Sequence, residues 1–131
     1  MKKILNINDA TLLAMHSLAL IARENQVSAR DISIKINVNY NHLTKVLQHL
    51  TKNGIIESVR GPAGGFKLVK EKESISLLEI YECMEGKIEM HECLIGSTQC
   101  YFTDCILSNI NKELSEQFVN YLKQKRLSDF N

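Results

Sequence analysis

Three of the four cysteines fall within thirteen residues, spaced Cys93-x6-Cys100-x4-Cys105. Thiolates are soft ligands that suit iron–sulfur clusters, zinc or copper(I), and three on one flexible stretch can converge on a single centre. The spacing is not the paired-cysteine pattern of a zinc knuckle, and three cysteines leave one coordination position for another group. An open or weakly held position is what a sensor of gas or redox state needs. The plainer reading is three neighbouring thiols that bind nothing. His91, two residues before Cys93, is a further candidate donor, although a lone loop histidine is usually just solvated. Cys83 sits inside an expected helix beside Tyr81 and Met84 and reads as packing. In a reducing compartment, a tight cysteine cluster more often binds metal or reacts in redox chemistry than forms disulfides.

A second set of side chains suits nucleic acid. Tyr40, Asn41, Thr44, Lys45 and Gln48 share the outward face of an expected helix whose inward face is Leu43, Val46, Leu47 and Leu50. Lys contacts guanine O6 and N7, while Asn and Gln pair with the adenine edge. Any surface helix has a polar face, so this one gains meaning from the segment that comes after it. Arg60, Gly61, Gly64 and Gly65 form a glycine-rich tip between two short apolar runs. There an arginine can enter the minor groove and bare backbone N–H groups can approach phosphates. A nucleotide-phosphate loop is excluded, because the tip lacks the Gly-Lys-Ser/Thr ending and opens a strand rather than a helix. His42 and His49 read as surface or packing residues.

The elements that must position these residues are visible in the periodicity. A first helix is predicted over residues 9–23, with Leu12, Met15, Leu18, Ala19 and Ala22 on one stripe and Asn8 or Asp9 as its cap. A second starts at Ser28, with Asp31 three residues on as a near capping box and Ile32 and Ile36 as its apolar face. Residues 37–39 make a turn, and a third helix follows over residues 39–53, ended by Gly54 at positive φ. Strands over 55–59 and 66–69 enclose the glycine tip as a hairpin. Ser76 and Glu79 cap a fourth helix through Met84. Residues 86–102 lack periodicity. The longest amphipathic helix is expected over residues 103–126, carrying Ile106, Leu107, Ile110, Leu114, Phe118, Val119 and Leu122 on one stripe.

Helix, short helix, tight turn, helix and hairpin in that order make a winged helix-turn-helix, whose third helix enters the major groove. The fold class expected is therefore mostly α with a small β-hairpin wing (α+β), plus a long C-terminal dimerisation helix. The bulk properties agree. The 131 residues suit one compact unit, and 44% are hydrophobic, enough for a core. The net charge of +1 hides an asymmetry: residues 1–70 carry ten Lys and Arg against four acids, residues 71–131 six against eleven. A polyanion would meet the first part. No apolar run approaches a membrane span, and the basic start lacks the apolar stretch of a signal peptide. The expected location is cytoplasmic, with no membrane partner. Nothing in the chain reads as an enzyme: no Ser/His/Asp constellation, no paired carboxylates and no nucleotide motif are present.

Several stretches resemble a known family. These are Asn41-His42-Leu43-x-Lys45-Val46, then Asn53-Gly54-Ile55-Ile56-x-Ser58-Val59-Arg60-Gly61-Pro62-x-Gly64-Gly65-Phe66-x-Leu68, then Leu78-x-Ile80 and Met84-Glu85-Gly86. They are similar to the IscR/NsrR-type winged-helix iron–sulfur transcription regulators, over about residues 7–114, and most of all to the nitric-oxide-sensing NsrR group. The resemblance implies a homodimer joined by the long C-terminal helix, bound to an imperfect palindrome in double-stranded DNA. It also implies an iron–sulfur cluster on Cys93, Cys100 and Cys105, with 4Fe-4S favoured over 2Fe-2S. Asn41, Thr44, Lys45 and Arg60 match the family's DNA-contacting positions. The cysteine spacing departs from the commoner x5-x5 pattern while keeping the same outer separation. The histidine that follows the last cysteine in part of the family is missing, since Ile106-Leu107-Ser108 stand there. In the NsrR group an aspartate near the N-terminus of the partner subunit completes the site, and Asp9 falls at that place. Its other reading is a helix cap, and His91 is the lesser candidate.

The expected organisation is a DNA-binding domain over residues 1–85, a cluster loop over 86–102, and a dimerisation helix and tail over 103–131. The expected function is a DNA-binding regulator, a repressor, whose operator affinity follows nitric oxide or redox state. The alternatives are control of iron–sulfur supply, a zinc or thiol redox switch on the same scaffold, and a winged helix used for protein contacts alone.

Overall fold

The computed structural model describes residues 2–90, 93–96, 99–107 and 110–130. Helix α1 runs over Asp9–Glu24, and its start is held by Asn8, whose side-chain oxygen accepts the Ala10 N–H at 2.8 Å. Its inner face is Leu13, Ala14, Leu18, Ile21 and Ala22, joined by the hydroxyls of Thr11 and Ser17. This corrects the expected stripe. Leu18 and Ala22 are buried, but Leu12, Met15 and Ala19 are only half-buried on the flank. Apolar residues occupy more than one side of this helix, so period alone does not single out the side that faces the core.

Helix α2, Ala29–Lys35, is capped by Ser28, whose Oγ accepts the Asp31 N–H at 3.1 Å. The turn after it passes through Asn37 at φ 53°, an asparagine in the left-handed region. Asn39 then caps helix α3, Tyr40–Lys52, by accepting the His42 N–H at 3.0 Å. Leu43, Val46, Leu47 and Leu50 are all buried, as their spacing predicts. Each such side chain contributes roughly 1.5–3 kcal/mol. Gly54 at φ +74° ends the helix in a Schellman arrangement: Ile55 N–H donates to Leu50 O and Gly54 N–H to Thr51 O, both at 3.1 Å.

The hairpin pairs β1, Ile56–Val59, with β2, Gly65–Leu68, in antiparallel register from Ile56 opposite Leu68 to Val59 opposite Gly65. Local pattern does not reveal its third member. Val27, in the loop between α1 and α2, bridges Phe66 through two backbone hydrogen bonds of 3.1 and 2.8 Å. The wing is thereby fastened to the helical layer.

Helix α4, Leu77–Glu85, is capped by Ser76, which accepts the Glu79 N–H at 3.1 Å. Glu79 is drawn to Lys70 instead of the cap, with Nζ to Oε1 at 2.5 Å. Helix α5 is Ile110–Gln124, which corrects the expected start at residue 103. Residues 103–107 are exposed turn and bend, where Thr103 and Asp104 are poor helix formers. Ile106 and Leu107 therefore lie outside the helix whose stripe they continue. Leu122 is buried, and Phe118 meets Tyr81 of α4 edge-on at 5.7 Å. The chain then turns back: Leu77 N–H donates to Lys125 O and Leu127 N–H to Ile75 O, both at 3.0 Å, which buries Leu127 completely. Among the described residues no helix is long and apolar enough to cross a membrane.

Candidate nucleic-acid interface and cysteine loop

The α3 residues singled out for base contact reach solvent together. Tyr40 is 51% exposed, and Asn41, Lys45 and Gln48 are exposed beside it. Thr44 is half-buried, and its hydroxyl donates to Asn41 O at 2.9 Å. That hydroxyl keeps lone pairs for a donor on a base edge, while its proton is engaged within the helix. The short cap of Asn39 sets the first turn of α3, so Tyr40 and Asn41 stand at the end that a groove-reading helix presents.

Arg60 and Gly61 are exposed at the wing tip. Gly61 holds φ +112° with nothing within 4 Å of where a Cβ would stand. Gly64 and Gly65 are half-buried, and their lack of a side chain has a packing cause. A Cβ on Gly64 would lie 2.4 Å from Val59 O, and one on Gly65 would lie 2.6 Å from the Val27 carbonyl. The Gly64 N–H donates to Gly61 O at 2.9 Å, so it closes the turn and is not bare for a phosphate. One residue that sequence reasoning missed also touches the tip. Gln26 Nε2 donates to Ala63 O at 2.5 Å, across thirty-seven positions, and no local signal marks it.

The cysteine loop lies on the other side of the sequence from this face, between Gly86 at the end of α4 and Ile110 at the start of α5. All four cysteines are thiols; Cys93 is half-buried, Cys100 and Cys105 exposed. Around them Ile95 and Tyr101 stand almost wholly in solvent, with Leu94, Phe102 and Ile106 also exposed. Among the described residues no three His, Cys, Asp or Glu side chains are assembled closely enough to hold a metal. His91 lies outside the described residues. The donor set itself, three soft thiols on one segment, fits an iron–sulfur cluster in chemical type.

Asp9 is exposed at the first position of α1. Of the two expected caps the structure uses Asn8, so the Asp9 carboxylate takes no part in capping. Asp9 also lines a cleft of about 380 Å³ together with Leu12, Leu13, Ile36, Asn39 and His42, so it shares walls with the first turn of α3. Cys83 behaves as packing. Burial, and then the charge of Glu79, push its thiol pKa up, and His49 Nε2 lies 3.0 Å from its backbone oxygen.

Comparison with known proteins matches residues 7–131 to the Rrf2 family, described as iron-dependent transcriptional regulators. An HTH-type transcriptional regulator NsrR of Halalkalibacterium halodurans is 31% identical over 123 residues, covering 92% of this chain and 84% of the relative. An IscR regulator of Klebsiella pneumoniae is 30% identical over 117 residues, covering 88% and 71%. Among solved structures, CymR of B. subtilis, the global cysteine regulator, superposes with a TM-score of 0.76 at 22% identity, over 96% of this chain and 95% of its own. IscR of T. potens superposes with a TM-score of 0.71 at 22% identity, over 96% and 85%. At these identities the two structures speak to the winged-helix fold.

Proposed function

The chain belongs to the Rrf2 family of iron-dependent transcriptional regulators, and from that premise we propose a homodimeric repressor whose operator affinity depends on an iron–sulfur cluster held by Cys93, Cys100 and Cys105. It is a DNA-binding transcription regulator and not an enzyme. Tyr40, Asn41, Thr44, Lys45 and Gln48 read one half-site of an imperfect palindrome, and Arg60 with the wing tip meets the backbone or minor groove beside it.

The observation that carries the sensing part is the state of the cysteine loop. Two of its thiols are exposed, and so are the apolar side chains among them, Leu94, Ile95, Tyr101, Phe102 and Ile106, of which Tyr101 and Phe102 meet edge-on. Such a segment is ready to close around a bound centre. When bound, a cluster (4Fe-4S over 2Fe-2S) supplies iron that reacts with nitric oxide and oxidants. Asp9 of the partner subunit would be the fourth donor, since capping of α1 falls to Asn8 and not to its carboxylate. A displacement of Asp9 would shift the first turn of α1, which walls the same cleft as Asn39 and His42. Asn41 lies between those two residues and Lys45 one turn further along α3. A shift of that kind in each subunit changes the half-site spacing, which dimers of this class need at about one helical turn. The exposed faces of Ile110 and Leu114 on α5 are the apolar surface on which two copies meet.

Anaerobic purification with iron and acid-labile sulfide analysis tests the cluster, and titration with nitric oxide while following duplex binding tests the signal. Expected are a brown protein, loss of colour in Cys100→Ser, and release of DNA at stoichiometric nitric oxide. DNA binding that survives nitric oxide but is lost on cluster removal overturns the nitric-oxide assignment and leaves control of iron–sulfur supply. A second reading, a zinc or thiol switch, is favoured by the unassembled donors and the exposure of Cys100 and Cys105. A colourless protein holding zinc, or one released by disulfide formation alone, selects it.

A further inference from the structure

The loop between α1 and α2 runs beside the wing and holds it at two levels. At the base, Val27 and Phe66 exchange backbone hydrogen bonds, and Gly65 lies against the Val27 backbone so closely that a Cβ would not fit. At the tip, residues 61–64 close a turn through Gly64 N–H to Gly61 O, with Pro62 and Ala63 in its centre. The Ala63 carbonyl takes no part in that closure and accepts instead from Gln26 Nε2.

Both Gln26 and Ala63 are exposed. Burial therefore does not demand the bond, and water could satisfy either group. What the bond does is geometric. Without it, the segment from Arg60 to Gly64 is restrained only by its own turn, while the strands below stay fixed by Val27. A tip that is loose in the free protein must be ordered on binding, and that ordering opposes association.

We propose that Gln26 is a positioning residue for DNA binding: by holding the Ala63 carbonyl it fixes the wing tip, and with it the direction from which Arg60 meets the duplex. The inference rests on the reading of Arg60 as a DNA contact, and its test separates the two. The probe is a duplex enriched from a random-sequence pool by the protein itself. Gln26→Met keeps the length of the side chain and removes the donor. It weakens binding by about three- to tenfold, the cost of ordering the loosened tip on the duplex, with an unchanged melting temperature because water replaces the bond in the free protein. The slope of log affinity against log salt becomes shallower by up to about 0.9, the loss of one phosphate contact. Arg60→Ala, costly alone, costs clearly less in the Gln26→Met background, because the arginine is already misdirected. If Arg60→Ala costs the same factor in both backgrounds, or Gln26→Met binds like the unaltered chain, the positioning role is overturned. If Arg60→Ala alone leaves affinity and salt slope unchanged, the wing contact itself falls, and this proposal with it.

Discussion

Gly65 stands against Val27 with no room for a methyl group: a Cβ at residue 65 would lie 2.6 Å from both the carbonyl carbon and oxygen of Val27. The closeness comes from the bridge between Val27 and Phe66, which draws β2 onto the α1–α2 loop. Gly65→Ala must therefore break the bridge or displace β2. Expected is a loss of about 1–3 kcal/mol, as for overpacking elsewhere, read as a lower denaturation midpoint with an unchanged slope. Gly61→Ala meets no neighbour and costs only its left-handed backbone. Equal stability of Gly65→Ala and the unaltered chain would contradict the observed seat of the wing.

On α3, Asn41 and Lys45 are exposed, so alanine at either leaves the melting temperature in place. Their effects on DNA differ in kind. Asn41→Ala relaxes the preference at one base pair by about 1–3 kcal/mol. Lys45→Ala either relaxes a guanine preference or makes the salt slope shallower by about 0.9. Competition binding against a library of single-base operator variants, repeated at two salt concentrations, distinguishes these outcomes.

Along α5, Leu114 is 53% exposed in the single chain while Leu122 is 2% exposed. Leu114→Glu leaves the protomer folded and shifts sedimentation toward the monomer. Leu122→Ala opens a cavity under the helix and lowers stability by about 2–5 kcal/mol. A Leu114→Glu protein that sediments as a dimer at low micromolar concentration would place the interface elsewhere.

The thiol of Cys83 titrates above its ordinary value because burial, and then Glu79, disfavour the thiolate. Its contribution to stability is full below the ordinary thiol pKa and is lost as pH rises through that value toward the folded one, since the unfolded chain releases the proton first. Tyr81, raised by burial and by Glu85, adds a loss of the same sign at higher pH. Denaturation midpoints therefore fall from about pH 8 to 10, and Cys83→Ala flattens the first part of that fall. An identical pH profile in the variant would remove Cys83 from the account.

Much of the winged helix-turn-helix is legible in the sequence, because its signals are local. Ser28 and Ser76 each cap the helix that their neighbours announce, whereas the Asn39 cap of α3 is seen only in the structure. Gly54 ends α3 through a backbone conformation that other residues resist. Four leucine and valine positions in α3 share one face by period alone. The cysteine loop is legible as chemistry and not as geometry: thiol spacing names a class of ligand, whereas the described residues do not bring the thiols together. The start of α5 is hidden because Ile106 and Leu107 continue the helical period through a stretch that does not form helix. The returning tail, with Leu127 in the core, carries no periodic mark at all.

By itself the sequence determined the order of elements, the caps at Ser28 and Ser76, the basic character of residues 1–70 and the cluster of soft thiols at Cys93, Cys100 and Cys105. Those are properties of residues and their near neighbours. Only the tertiary structure decided which side of α1 is inward, that Asn8 frees Asp9 by capping in its place, and that Gln26 and Val27 fasten the wing. Each of these depends on which distant backbone comes to lie alongside, and a helical period or a turn motif gives a face or a bend without naming the surface that will meet it.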